Sequence, residues 1–260
     1  MIHAGIAYDD VGAGEALVFL HGFALDRTMW APQTSALAAR CRCVAIDLRG
    51  SGESSAPPPY DMDMYADDVA AVLDARGIAQ ATIVGLSMGG YVSFALWRRH
   101  PRRVRALVLA DTRAGADTNE GLERRRELIA VARHDGSVGV ADRQVVGLLG
   151  KTTRARHPDI GTTVHRMIAR TSVDGLVGQL EAMMARPDSH ATLATIDVPT
   201  LIIVGDEDVV TPPKDAHAMH DVIRGSRLQI LAQAGHLSSL ERPAAFNAVL
   251  AEFLTVLAAD

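Results

Sequence analysis

Gly85-Leu86-Ser87-Met88-Gly89-Gly90 sets a serine between glycines at the centre of the chain's pattern. The apolar run Ala81-Thr82-Ile83-Val84 leads into it, and the segment Tyr91-Val92-Ser93-Phe94-Ala95-Leu96-Trp97 leads out with helical character. A strand, a sharp turn with Ser at its apex and a helix make the outline of a nucleophile elbow. The reason is steric. Ser87 must take a strained backbone conformation for its hydroxyl to stand clear of a sheet, and Gly85 and Gly89 let strand and helix pass that close. The helix start also offers free N–H groups and a positive dipole end to a developing oxyanion. On its own the pattern fits a Gly-rich strand-to-helix turn equally well, so the surrounding chain must decide.

Working outward, short apolar runs alternate with helical segments. Ala16–Leu20, Cys43–Ile46, Val104–Leu109 and Thr200–Gly205 are continuous apolar runs of the kind buried on both faces. Residues 2–9 alternate weakly and suggest a first edge strand, and Leu228–Leu231 a last one. Helices are expected over 28–39, 62–76, 214–223 and from Pro243 to about residue 257. This rhythm predicts an α/β fold, with a parallel sheet covered by helices on both faces. It breaks after Asp111. From 113 to 190 the apolar residues keep helical spacing, as in Leu122, Leu128, Ile129 and Val131, and then Leu176, Leu180, Met183 and Met184. That segment reads as a helical insertion, its methionines as ordinary helix packing.

Composition excludes several classes. The 260 residues fit one large domain or one domain with an insertion. A net charge of −5, from 26 basic and 31 acidic residues, argues against a general nucleic-acid binder. No apolar run suffices to span a bilayer, and Met1-Ile2-His3-Ala4-Gly5 does not read as a signal peptide, so a cytoplasmic location without membrane association is expected. Cys41 and Cys43, two apart in an expected strand, read as reduced core thiols rather than a disulfide or metal site.

A serine hydroxyl needs a base and a group that orients the base. His236, in Ala234-Gly235-His236-Leu237 beyond the last strand, is the candidate base. The orienting acid is open among Asp206, Glu207 and Asp208, with Asp111 as an alternative that also follows a strand. The oxyanion needs two backbone donors. Met88 supplies one at the helix start, and Phe23, in the loop His21-Gly22-Phe23 after the Ala16–Leu20 strand, is best placed for the other. His21 itself is expected to tie that loop together.

Five motifs in chain order carry a resemblance: His21-Gly22-Phe23, Asp47-Leu48-Arg49-Gly50-Ser51-Gly52-Glu53-Ser54, the Ser87 hexapeptide, Gly205-Asp206-Glu207-Asp208 with Thr211-Pro212-Pro213, and Gly235-His236. The chain resembles the α/β-hydrolase superfamily. That implies an eight-stranded, mostly parallel sheet, a Ser-His-acid triad with the acid role on Asp208, and a helical cap inserted after the sixth strand. The expected core is then residues 1–112 and 191–260, with the cap at 113–190. Val209–Pro213 and His236–Pro243 are similar to stretches in 3-oxoadipate enol-lactonases, and small bacterial carboxylesterases are a further close likeness. Cofactor-free perhydrolases share His21-Gly22-Phe23 and a tryptophan near Trp30, which is expected to border the substrate pocket.

The expectation is a serine carboxylesterase acting on a small-molecule ester through an acyl-enzyme, with Ser87, Asp208 and His236 catalytic and no metal or cofactor. An enol-lactonase or related lactonase is the alternative, followed by a perhydrolase or a binding protein that kept the fold. A lactonase acting on carboxylated substrates would need a cationic pocket. Arg124, Arg133, Arg166 and Arg170 are candidates, but their acidic neighbours favour a solvated helix face.

Overall fold

The N-terminal stretch, expected as one strand, forms two: β1 (Ile2–His3) and β2 (Ile6–Val11). Ala4 and Gly5 both have positive φ, 47° and 79°, and turn the chain back so that Ile2 pairs with Ala7 and His3 with Ile6. In this computed structural model residues 1–55 and 57–258 are described; Ala56 and the last two residues of the expected core range lie outside them. β3 (Ala16–Leu20) is buried throughout, as its unbroken apolar run predicts. The helix expected over 28–39 begins as a 3-10 turn, Arg27–Trp30, and continues as α1 (Ala31–Leu37). Asp26 starts it by accepting the Thr28 N–H at 2.9 Å, an N-cap that satisfies one orphan donor.

β4 (Arg42–Ile46) and α2 (Met62–Ala75) follow. Then come β5 (Ala81–Leu86), α3 (Met88–Arg99) and β6 (Val104–Ala110). Between β6 and β7 lie α4 (Asn119–Leu148), α5 (Lys151–Arg156), α6 (Pro158–Arg170), α7 (Val173–Ala185) and α8 (His190–Leu193). α4 is bent at Gly136, whose φ of 72° and ψ of −169° are not helical. β7 (Thr200–Gly205), α9 (Pro213–Val222), β8 (Arg227–Leu231), α10 (Ser238–Glu241) and α11 (Pro243–Leu257) complete the chain.

The eight strands form one sheet in the order β1-β2-β4-β3-β5-β6-β7-β8. β1 pairs antiparallel with β2, and β2 antiparallel with β4; every other pair is parallel. The chain steps outward from β3 to β4 and then returns past β3 to β5. Such a reversal opens a crevice beyond the carboxyl ends of the two central strands, where open α/β sheets hold ligands. His21-Gly22-Phe23 leaves β3 there, and Ser87 leaves β5. The topology thus brings two of the motifs to one place.

Cys41 lies just before β4 and Cys43 within it, and both are buried and free. Burial, reinforced by the neighbouring Cys41, pushes the Cys43 thiol up to about 12, so it stays protonated and unreactive. No helix among the described residues is long and apolar enough to cross a membrane.

Candidate active site

Ser87 sits at φ 55° and ψ −112°, a conformation that costs a non-glycine residue free energy and persists only when its surroundings over-determine it. Its N–H donates to Ala110 O at 2.9 Å, and its carbonyl accepts from Thr112 Oγ1 at 2.8 Å. Both partners belong to the β6 end, so the neighbouring strand holds the turn through both its N–H and its carbonyl. The glycines do what the steric reading requires. A Cβ on Gly85 would stand 2.4 Å from Gly89 O and from Ser93 Oγ, and one on Gly89 would stand 2.2 Å from Leu20 O. α3 therefore leaves the turn in contact with the β3 backbone.

His236 meets Ser87 directly, with Nε2 2.8 Å from the serine Oγ. Its Nδ1 lies 2.8 Å from Asp208 Oδ2. The three neighbouring carboxylates have separate contacts. Asp206 is exposed, with one long contact from Ala234 N–H at 3.4 Å. Glu207 turns to α5, accepting Thr152 N–H at 2.8 Å. Asp208 is buried and takes the N–H groups of Val210 and Thr211 on Oδ1, at 2.8 and 3.0 Å, and the Thr211 hydroxyl on Oδ2 at 2.7 Å. Burial alone would raise the Asp208 pKa. The imidazole of His236 and the Thr211 hydrogen bonds outweigh it and hold the carboxyl below its ordinary value. Burial likewise disfavours a charged His236, but the Asp208 carboxylate wins and raises the histidine pKa.

Asp111 makes no hydrogen bond to His236. Its Oδ1 accepts Gly205 N–H at 3.0 Å, and its Oδ2 accepts the N–H and hydroxyl of Ser238 at 3.1 and 2.5 Å. It braces the loops that carry Asp208 and His236. Complete burial, and then the charge of Asp208, push its pKa well above the ordinary carboxylate range. Thr211 and Glu241 are buried partners of the same loops whose parts were not legible in the sequence. The one signal for Glu241 was an acidic residue five positions after His236 and two before Pro243.

The two N–H groups expected to face an oxyanion are available. Among the described residues, neither Phe23 N–H nor Met88 N–H has a backbone acceptor outside its own element. The loop after β3 runs beside the serine: a Cβ on Gly22 would lie 3.5 Å from Ser87 Cβ. His21 ties that loop down. Its Nδ1–H donates to Gly22 O at 2.8 Å and its Nε2 accepts Leu48 N–H at 3.0 Å, which fixes the neutral tautomer. Burial lowers its pKa in the same sense.

A cavity of about 80 Å³ lies over Ser87 and His236, walled by Phe23, Leu25, Tyr91, Leu148, Met183 and Val210 among others. It shares Phe23, Arg113, Arg125, Gln144, Leu148 and Val210 with an outer cleft of about 490 Å³. Trp30 does not border it. The ring is 0% exposed, packed in the core against Phe19 at 5.2 Å and Phe246 at 6.1 Å between centroids. The 3-10 turn that carries it points inward, toward α11, and not up to the strand ends. The expectation of a pocket-lining tryptophan is therefore corrected.

The cationic residues at the cavity are Arg113 and Arg125, with Arg124 and Arg143 on the outer cleft. Of the four arginines singled out in the sequence, only Arg124 reaches this region. Arg133 pairs with Glu181, Arg170 with Asp26, and Arg166 is exposed. Asp117, 1% exposed at its side chain, is shared by Arg113, Arg125 and Arg186. Arg113 and Arg125 share this carboxylate with the buried Arg186, which leaves the wall positive in a chain of net charge −5. Arg186 also covers the Tyr91 ring, 4.2 Å from its centroid.

An eight-stranded sheet with a serine elbow at its switch point, facing a histidine and an aspartate from later strand ends, is the architecture of an α/β hydrolase. A family model for the alpha/beta hydrolase fold matches residues 15–133, and a model for TAP-like proteins matches residues 181–259. The chain is 31% identical to 3-oxoadipate enol-lactonase 2 of Acinetobacter baylyi, over 89% of this chain and 85% of that protein. It is 31% identical to a pimeloyl-[acyl-carrier protein] methyl ester esterase of Neisseria meningitidis, over 93% of this chain and 94% of that one. A thermophilic esterase from Thermogutta terrifontis superposes with a TM-score of 0.94 at 35% identity, covering 97% of this chain and 93% of that one. The chain belongs to the α/β-hydrolase family.

Proposed function

We propose that this protein is a serine carboxylesterase that works through an acyl-enzyme. The observation that carries the reading is the unbroken hydrogen-bonded chain from Ser87 Oγ through His236 to Asp208. His236 Nε2 takes the hydroxyl proton as Ser87 Oγ attacks the ester carbonyl carbon. Asp208 holds the ring and stabilises its charged form. The N–H groups of Phe23 and Met88 receive the oxyanion. The tetrahedral intermediate then collapses: the C–O bond to the alcohol breaks, and His236 returns the proton to the leaving oxygen. Water then attacks the acyl carbon as His236 takes its proton; the C–Oγ bond breaks, the acid leaves, and His236 returns the proton to Ser87 Oγ. Residues 113–190 act as a cap over this site. In support, α4 contributes Arg125, Gln144 and Leu148 to the cavity wall, and α7 contributes Met183. The cavity suits a small acyl group. Ser87→Ala tests the reading, because it should abolish turnover of short-chain p-nitrophenyl esters; retained turnover would refute it.

The arginine-rich wall favours a second reading, a lactonase or esterase for carboxylated substrates. Arg113 and Arg125 line the cavity itself, and one buried aspartate does not neutralise them. The enol-lactonase relative and the malate-bound form of the Thermogutta esterase support this reading. A lactone uses the same steps, except that the leaving alcohol stays tethered to the acyl group. The two readings separate on a panel of neutral and carboxylated esters and lactones. A preference for the carboxylated members that Arg113→Met removes would establish the second; equal turnover of neutral esters by that variant would favour the first.

A further inference from the structure

We propose that Glu241 is a positioning residue: its carboxylate clamps the backbone on both sides of His236 and links the alignment of that ring to the docking of the inserted helices. The proposal rests on the reading of His236 as the base. The carboxylate is buried, the residue being 4% exposed, and a buried carboxylate is tolerated only where hydrogen bonds replace water. Its Oε1 accepts the N–H groups of Gly235 at 2.9 Å and Leu237 at 3.1 Å, and its Oε2 accepts Gly150 N–H at 2.8 Å. The intervening N–H, that of His236 itself, donates to Leu148 O at 3.1 Å. Three consecutive N–H groups of the histidine loop are thus fixed, two by Glu241 and one by the end of α4. Gly150 joins α4 to α5, so a single side chain holds the histidine loop and the inserted segment together.

The contact is close enough to leave no slack. A Cβ on Gly235 would lie 2.2 Å from Gly150 N, and one on Gly150 would lie 2.8 Å from Gly235 N. If the loop shifts, His236 Nε2 moves relative to Ser87 Oγ, and small misplacements of a catalytic group are expensive. Glu207 provides the internal comparison. Its carboxylate grips the same junction through Thr152 N–H at 2.8 Å but takes no N–H from residues 235–237. The acidic groups that act on His236 are Asp208, Asp111 and Glu241, each favouring the imidazolium when ionised.

The experiment compares Glu241→Gln, Glu241→Ala and Glu207→Gln in the full-length protein. It measures kcat and KM on a short-chain ester, the titration of the His236 ring by NMR, and thermal melting. Glu241→Ala should lower kcat roughly 10- to 100-fold while KM changes by less than about twofold. Glu241→Gln should fall between it and the wild type, because one amide oxygen replaces two acceptors. Both should move the His236 titration to lower pH, since a negative charge beside it is lost. Glu207→Gln should leave kcat and the titration in place. Glu241 variants that melt earlier but keep kcat and titration would overturn the proposal, as would an equal kcat loss and titration shift in Glu207→Gln. If Glu241→Ala does not fold, Glu241→Gln carries the comparison. The titration needs no substrate. A wild type that turns over no ester while Glu241→Gln shifts the ring would refute the esterase reading and support the clamp. Turnover with an unmoved ring and unchanged kcat in Glu241→Gln would refute the clamp alone.

Discussion

Asp111 and Asp208 leave adjacent strands, β6 and β7, yet only Asp208 touches His236; Asp111 instead accepts the Gly205 N–H at the root of the loop that carries Asp208. Two carboxylates of similar position therefore divide the work. Asp208→Asn should lower kcat on the order of 10⁴-fold, because the amide cannot hold the same imidazole tautomer. Asp206→Asn should leave kcat unchanged, and Asp111→Asn should act through the loops it braces, with a much smaller loss. Steady-state kinetics on the three variants checks the assignment, and a severe loss confined to Asp111→Asn would move the acid role there.

The pH profile follows from the two shifts. In the proposed mechanism His236 must be neutral to accept the serine proton, and its pKa lies above the ordinary 6.5. The acid limb of kcat/KM should therefore be centred above pH 6.5. Stability follows the same signs. The His236 contribution is fully present below 6.5 and is lost as pH rises through its higher folded value. That of Asp208 is present above 3.8 and is lost as pH falls through its lower folded value. The melting-temperature gap between wild type and Asp208→Asn should be widest between 3.8 and 6.5 and shrink on either side.

Asp117 holds three arginines, of which Arg113 and Arg125 line the cavity and Arg186 is buried behind it. Removing its charge takes away the salt-bridge partner of Arg125 and the buried Arg186, so Asp117→Asn should destabilise the fold by about 3 kcal/mol at neutral pH. Burial opposes ionisation of Asp117, but Arg186 and Arg125 overcome it and hold the pKa below the ordinary 3.8. Its contribution is present above 3.8 and disappears as pH falls through the folded value, so denaturant midpoints of variant and wild type should converge in acid.

The elbow gives a steric prediction. Gly89→Ala places a methyl group 2.2 Å from Leu20 O, a rigid backbone atom. Overpacking of this kind costs about 1–3 kcal/mol or more. The variant should melt several degrees below wild type and lose activity, whereas Gly77→Ala, whose added Cβ meets nothing within 4 Å, should keep activity and lose only what its φ of 63° costs.

Much of this architecture was legible because burial on both faces leaves a simple mark. β3, β5 and β7 are short, unbroken apolar runs, and the motifs that carry chemistry directly follow them. What stayed hidden depends on direction. Trp30 is near the His21-Gly22-Phe23 loop in sequence, but the turn that carries it faces α11, and no periodicity reports that. Arg113 and Arg125 were passed over for other arginines because only the tertiary arrangement shows which helix face meets the cavity. The choice among Asp206, Glu207 and Asp208 needed the resemblance, since consecutive loop residues diverge too sharply for spacing to separate them. The turn at Ala4-Gly5 was missed because a positive φ at Ala4 has no signature in residue type.

The most direct measurement is labelling with a serine-directed fluorophosphonate, read by intact mass and peptide mapping. The chain should take up one adduct, on the peptide containing Ser87, with loss of ester turnover in step with labelling. Ser87→Ala should take up no label, and His236→Ala should label far more slowly. Full ester turnover by a protein that carries no adduct at Ser87, or by the Ser87→Ala variant, would contradict it.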